Sequence, residues 1–186
     1  MTRPTSTHSF RRRHYQSAAQ LWRDLRQLAA LLTQPHETVG PALRERLMLV
    51  VTAVNQCRYC AAFHARAAQL SGLAPDEIAL LLGGDLQHAP AAELPMLVYA
   101  HGWAAADGAS DLSRYAQLVA IYGSDQAAGI ALVLRAIRIG NLLGNTGDYL
   151  LFRISGGRLG RHAGANEHNW HADTHIASAG RSTASD

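Results

Sequence analysis

Apolar side chains recur at every third or fourth position along most of this chain, and that period constrains it to helices. Leu21, Leu25, Leu28 and Leu32, with Trp22 beside them, make one apolar stripe over residues 15–33, the spacing of an amphipathic helix. The segment ALRERLMLVVTAVNQ, about 42–55, is apolar nearly all round from Leu47 to Val54 and predicts a buried helix. Its β-branched residues would suit a strand. However, Arg44, Glu45 and Arg46 lead straight into the apolar run, and the segment is long for a strand. Pro35, Gly40 and Pro41 mark the connection before it.

Four further segments, and a short fifth, read the same way. CRYCAAFHARAAQLSG predicts a helix ending at Gly72, and APDEIALLLGG a short one with Pro75 in its first turn, acids after it and a glycine stop. APAAELPMLVYAHGWAAADG gives another, with Pro95 early in it or between two pieces. Ser110 reads as the N-cap of DLSRYAQLVAIYG and Gly123 as its stop. Ser124 reads as the cap of a long last helix through Ile154, whose glycines predict a kink or close helix packing. From Ser155 onward Gly, Arg, His, Asn, Ser and Thr replace the apolar period. The expectation is an all-α domain of about seven helices over residues 16–155, between a flexible basic tail, 1–15, and a flexible tail, 156–186.

Composition agrees. A chain of 186 residues, 48% hydrophobic and 17% charged, suits one globular domain, and only 6% of it is aromatic, which favours helix over strand. Much of the +3 net charge sits in RRRH near the N-terminus. No basic stripe with interleaved aromatics runs through the core, so nucleic acid is not an expected partner. No run of eighteen apolar residues occurs, and no membrane span is expected. SFRRRHYQSAAQLW has a faint twin-arginine look, but RDLRQLAALL after it is charged and short for an apolar leader core. The cytoplasm is the expected location.

Both cysteines lie in NQCRYCAAFH, residues 55–64. On a helix, Cys57, Cys60, Ala61 and His64 share one face. His64 stands one turn beyond Cys60, within reach of its thiol, and Cys57 stands near a helix N-terminus, where the dipole favours a thiolate. Such surroundings bring thiol pKa values down to roughly 3.5–7.5. Two thiols one turn apart can close a disulfide. The helix start argues for Cys57 as nucleophile, the pairing with His64 for Cys60. Glu45, entering an apolar helix just upstream, is a candidate to orient the imidazole.

Other readings stand beside this one. The cysteines could be plain core residues, His64 a core histidine and Glu45 a solvated first-turn acid. A zinc site could use Cys57, Cys60, His64 and a distant fourth ligand. His168, His171 and His175 are spaced by three and four, a pattern with adventitious metal affinity in a polar tail. His88 and His101 read as structural or surface residues, Tyr99 and Trp103 as core or oligomer contacts.

The run ERLMLVVTAVNQCRYCAAFH closely resembles the signature of the AhpD-like alkylhydroperoxidases, within the carboxymuconolactone decarboxylase superfamily. That signature is a glutamate, eleven residues, a C-x-x-C often with tyrosine before its second cysteine, three residues and a histidine. Glu45, Cys57, Tyr59, Cys60 and His64 match it in register. GLAPDEIALLLGGD and RIGNLLGNTGDYLLFRI resemble the family's later helices, so the resemblance covers roughly residues 20–155. It implies an all-helical fold assembling as trimers or multiples of them, and thiol-based hydroperoxide reduction with no metal, haem or flavin. It implies Cys60 as the peroxidatic cysteine and Cys57 as the resolving, more exposed one. His64 would be the base, Glu45 would orient it, and Tyr59 stands where some members carry a relay histidine. The expected reductant is an external dithiol or a lipoyl-bearing protein. A decarboxylase or lactone-processing enzyme is the second expectation, although such members generally lack the C-x-x-C. A non-enzymatic redox or zinc module is the third.

Overall fold

Leu47, Leu49, Val50 and Val51 are at most 1% exposed, and the helix that carries them, α2 (Pro41–Asn55), is the centre of the fold. The computed structural model describes residues 10–33, 35–109 and 111–160. Seven helices and no strand occur among them: α1 (Ala18–Leu32), α2, α3 (Arg58–Leu70), α4 (Pro75–Leu82), α5 (Leu94–Ala105), α6 (Leu112–Tyr122) and α7 (Ser124–Ile154). α2 packs on α7, α5, α3 and α4 at once, which is why its sequence is apolar nearly all round rather than on one stripe. α1 lies on α7, and α6 bridges α5 and α7. Tyr99 and Trp103 of α5 join this core, whereas His101 is exposed.

α7 is long and apolar enough to cross a membrane by composition, but 56% of its apolar window is buried within the bundle, as in a core helix. Asn141, Asn145 and Asp148 interrupt its apolar face and are 0% exposed. Their spacing of four and three keeps them on one side, and they bond across the helix seam. Thr52 Oγ1 donates to Asn141 Oδ1 at 3.1 Å, and Asn145 Nδ2 donates to the carbonyl of Asn55 at 2.7 Å.

Three helix starts differ from the sequence reading. α1 begins at Ala18, because the Ser17 side chain accepts from the backbone N–H of Gln20 and caps it there. The cap of α6 is Asp111, whose carboxylate takes the N–H groups of both Ser113 and Arg114 and also complements the helix dipole; Ser110 lies outside the described residues. Ser124 is already helical, and Gly123, at φ 86°, holds the cap position with no side-chain bond.

Residues 10–15 fall in the span read as a loose tail, yet they form a strap across α7. Arg12 is 5% exposed because Asp148 gives its guanidinium a carboxylate at 2.6 Å and the Gly160 carbonyl accepts from it at 2.5 Å. His14 stacks on Tyr149 at 4.1 Å between centroids, and Phe10 meets the same ring edge-on. The His168, His171 and His175 cluster lies outside the described residues.

Candidate active site

The site grows from the corner between α2 and α3. Gln56 takes the left-handed conformation, φ 56° and ψ 40°, and its N–H closes on the Thr52 carbonyl. That geometry ends α2 and turns the chain at once. Cys57, extended at φ −84° and ψ 103°, becomes the N-cap of α3, and its sulfur accepts the backbone N–H of Cys60 at 3.3 Å. A helix rises about 1.5 Å per residue, so Glu45 stands roughly 16 Å before the corner and His64 roughly 12 Å after it. The two helices fold back on each other and bring these heights together. His64 Nδ1 donates to Glu45 Oε2 at 2.8 Å. That bond fixes the tautomer and leaves Nε2 as the free acceptor. Both side chains are largely withdrawn from water, at 13% and 5% exposed, and Arg44 Nε donates to the other carboxylate oxygen at 3.3 Å.

Cys60 and His64 line one open groove of about 490 Å³, with Met48, Tyr59 and Phe63 and the α7 residues Ala136, Ile137, Gly140 and Gly144. Its walls are almost wholly apolar. Cys57 lies behind Cys60 and is 1% exposed, which reverses the expected order of exposure. The reason is the capping role: a side chain that folds over the first turn of α3 is pressed between that turn and α7. Gly144 makes the contact possible, since a Cβ there would lie 2.9 Å from Cys57 Sγ. The close packing predicted from the glycines of α7 is at this position.

The thiols share one proton unequally. A hydrogen bond from the Cys60 thiol brings the Cys57 thiol down to about 7, against the effect of burial, with help from the Cys60 and Tyr59 N–H groups and the nearby Arg12 charge. Donating that bond, together with burial and the adjacent Cys57 charge, pushes the Cys60 thiol up. Negative charge is therefore favoured on Cys57, chiefly through the Cys60 thiol, and access to the groove belongs to Cys60.

Tyr59 joins a different network from the one expected for a relay residue. Its hydroxyl donates to Asp148 Oδ1 at 2.9 Å, and Arg58 reaches the same oxygen at 2.7 Å while lying over the Tyr59 ring at 4.7 Å. Burial pushes the Asp148 carboxyl up, but the bonds from Arg12, Tyr59 and Arg58 outweigh it and hold the group below the usual carboxylate range. Asp148, Arg12, Asn145 and Gly144 were not identified from the sequence. The available signal was Asn141, Asn145 and Asp148 at i, i+4 and i+7 inside an apolar helix, since polar groups at such positions must be bonded internally. Among the described residues no three His, Cys, Asp or Glu side chains gather in a way that could hold a metal ion. His88 is exposed and faces Asp85 at 3.6 Å.

No curated protein and no solved structure matches the chain. A family model does: residues 17–106, which hold Glu45, Cys57, Tyr59, Cys60 and His64, match that of the carboxymuconolactone decarboxylase family.

Proposed function

We propose that the chain is a thiol-dependent hydroperoxide reductase working through the Cys57–Cys60 pair. The observation that carries the reading is the 2.8 Å bond between His64 and Glu45, made beside a groove that His64 shares with Cys60. A thiol whose pKa is pushed up needs a base, and an imidazole with its second nitrogen free can serve as one. His64 Nε2 takes the Cys60 proton, and the sulfur attacks the terminal oxygen of the hydroperoxide. The O–O bond breaks, Cys60 becomes a sulfenic acid, and the alkoxide leaves as the alcohol with the proton held by His64. Cys57, already a thiolate near neutral pH, attacks the sulfenic sulfur. The disulfide forms and hydroxide leaves, taking up a proton as water. An external dithiol, free or lipoyl-bound, returns both cysteines to thiols and is itself oxidised to a disulfide.

The apolar lining of the groove favours an organic hydroperoxide over hydrogen peroxide. Exposed Phe63 at its rim, together with Leu150, Leu151 and Ile154 on the last turns of α7, supports association of several copies, as the family resemblance implies. The test is intact mass after an organic hydroperoxide is added to reduced protein. Loss of two hydrogens, absent in Cys60→Ser and slowed sharply in His64→Ala, is the expected result. Thiols that stay reduced in a folded protein would overturn this reading and leave the decarboxylase chemistry of the family name in its place.

A further inference from the structure

A second cavity lies on the other side of α7. Ala136, Gly140 and Gly144 face the cysteine groove, whereas Arg135, Arg138 and Leu142 face a cavity of about 580 Å³ closed by the strap, α1 and the end of α5. Its size is that of a small-molecule site. Its character is the reverse of the first. Arg13, Arg23, Arg135 and Arg138 line it with the amides of Gln16, Gln20 and Gln27, against two carboxylates, Asp24 and Asp107.

Most of these groups already have structural partners. Arg138 pairs with Asp24 and, at 3.0 Å, with Asp107, which consumes both carboxylates. Tyr15 also donates to Asp24, at 2.9 Å. Arg13 donates to the carbonyls of Ala104 and Ala105 at the end of α5, so it answers the negative end of that helix. Arg135 is the exception. It is partly buried, lies over the Trp103 ring at 5.7 Å and donates to the neutral Gln27 amide oxygen. Among the described residues it makes no ion pair, and burial works against its charge. Partly buried guanidinium groups are ordinarily matched by an anion. The exposed Arg23 lines the same cavity and adds a further positive group.

We propose that this cavity is a second binding site, taking a small organic oxyanion with carboxylate or phosphate groups, and that Arg135 anchors it. The guanidinium fork suits either oxyanion in a two-point contact. The amide oxygens of Gln20 and Gln27 are taken by the Gln16 N–H and by Arg135, which leaves the amide N–H groups of those two side chains as neutral donors to such a molecule. Neither the groove residues nor the thiols take part, so the site stands whether or not the chain reduces peroxides.

Isothermal titration calorimetry of the reduced full chain tests this, with citrate as the carboxylate probe and pyrophosphate as the phosphate probe. The expected result is saturable binding of at least one probe, one per chain, weakening as salt is raised. Arg135→Gln lowers its affinity about tenfold or more, the size of a lost charge-assisted bond. Should that variant fail to fold by circular dichroism, Arg23→Gln on the exposed face of α1 gives the same reading, with a loss of severalfold. Arg114→Gln, on α6 and away from the cavity, keeps the wild-type affinity. Absence of saturable binding for both probes overturns the proposal. So does equal weakening by the Arg114 change, which would mean diffuse attraction to a basic protein.

Discussion

Cys57 Sγ and the α-carbon of Gly144 are so close that a single methyl group at residue 144 would stand 2.9 Å from the sulfur. The sulfur is thus held between the first turn of α3 and the backbone of α7, and its distance from Cys60 is set by a helix that the C-x-x-C motif does not include. Overpacking of this kind costs about 1–3 kcal/mol, partly offset by a helix-propensity gain of about 1 kcal/mol for alanine over glycine. Gly144→Ala is expected to change thermal stability little or lower it modestly, while slowing peroxide-driven disulfide formation about tenfold or more. Gly147→Ala, where a Cβ meets nothing within 4 Å, is expected to stabilise by about 0.5–1 kcal/mol and to leave the rate alone. Equal rates in both variants would separate Gly144 from the chemistry.

The Cys57 thiol titrates near 7, below its ordinary value of 9.0. Absorbance at 240 nm of the reduced protein should therefore show one thiolate forming near neutral pH, absent in Cys57→Ser. In Cys60→Ala, which removes the donor, the midpoint should rise, because the hydrogen bond from the Cys60 thiol is the largest stabilising contact. The linkage has a definite sign. Between about 7 and about 9 the unfolded state binds the proton and the folded state does not, so this group makes stability rise with pH across that window. Its contribution is lost as pH falls through 7. Urea midpoints of wild type and Cys57→Ser at several pH values would show this as a difference in slope.

In the proposed reaction Glu45 acts through His64, to which it is bonded at 2.8 Å. Glu45→Gln keeps the shape and removes the charge that stabilises a protonated imidazole. The rate of disulfide formation is expected to fall about 10²-fold, the scale of general-base catalysis, and its pH dependence to move with it. A structural role alone would lower the unfolding midpoint and leave the pH profile in place.

Asp148 holds a buried cation. Asp148→Asn removes the carboxylate that Arg12 and Arg58 share, and breaking one partner of a buried pair costs about 3–5 kcal/mol. Tyr59→Phe removes only one bond to that carboxylate, worth about 0.5–1.5 kcal/mol. Because Tyr59 belongs to this network and not to the His64–Glu45 pair, its loss is expected to change the rate by about threefold at most. A larger drop would return Tyr59 to the relay.

The helical class and the buried character of α2 were legible because each depends on local period, whereas Glu45 was only a candidate partner for His64, and the packing of α3 on α2 brought the two together. An apolar run with no polar face has to be enclosed. Glu45, twelve residues before Cys57, and His64, four after Cys60, meet because the chain turns at Gln56 and the two helices fold back on each other. The strap was not legible, because Arg12 looks like its neighbours Arg11 and Arg13 in a polar stretch. What distinguishes it is a carboxylate far away in sequence, on α7.

The relative exposure of the two cysteines was decided at the same level. Sequence determined that the thiols sit one turn apart at a helix start with a histidine in reach, since helix geometry is the same wherever such a segment lies. Which sulfur faces the groove, which holds the negative charge and which cation lies near it depend on how α7 and the strap pack against that turn. Those contacts join residues far apart along the chain, and burial and Coulomb forces act through space, so only the tertiary structure could assign them.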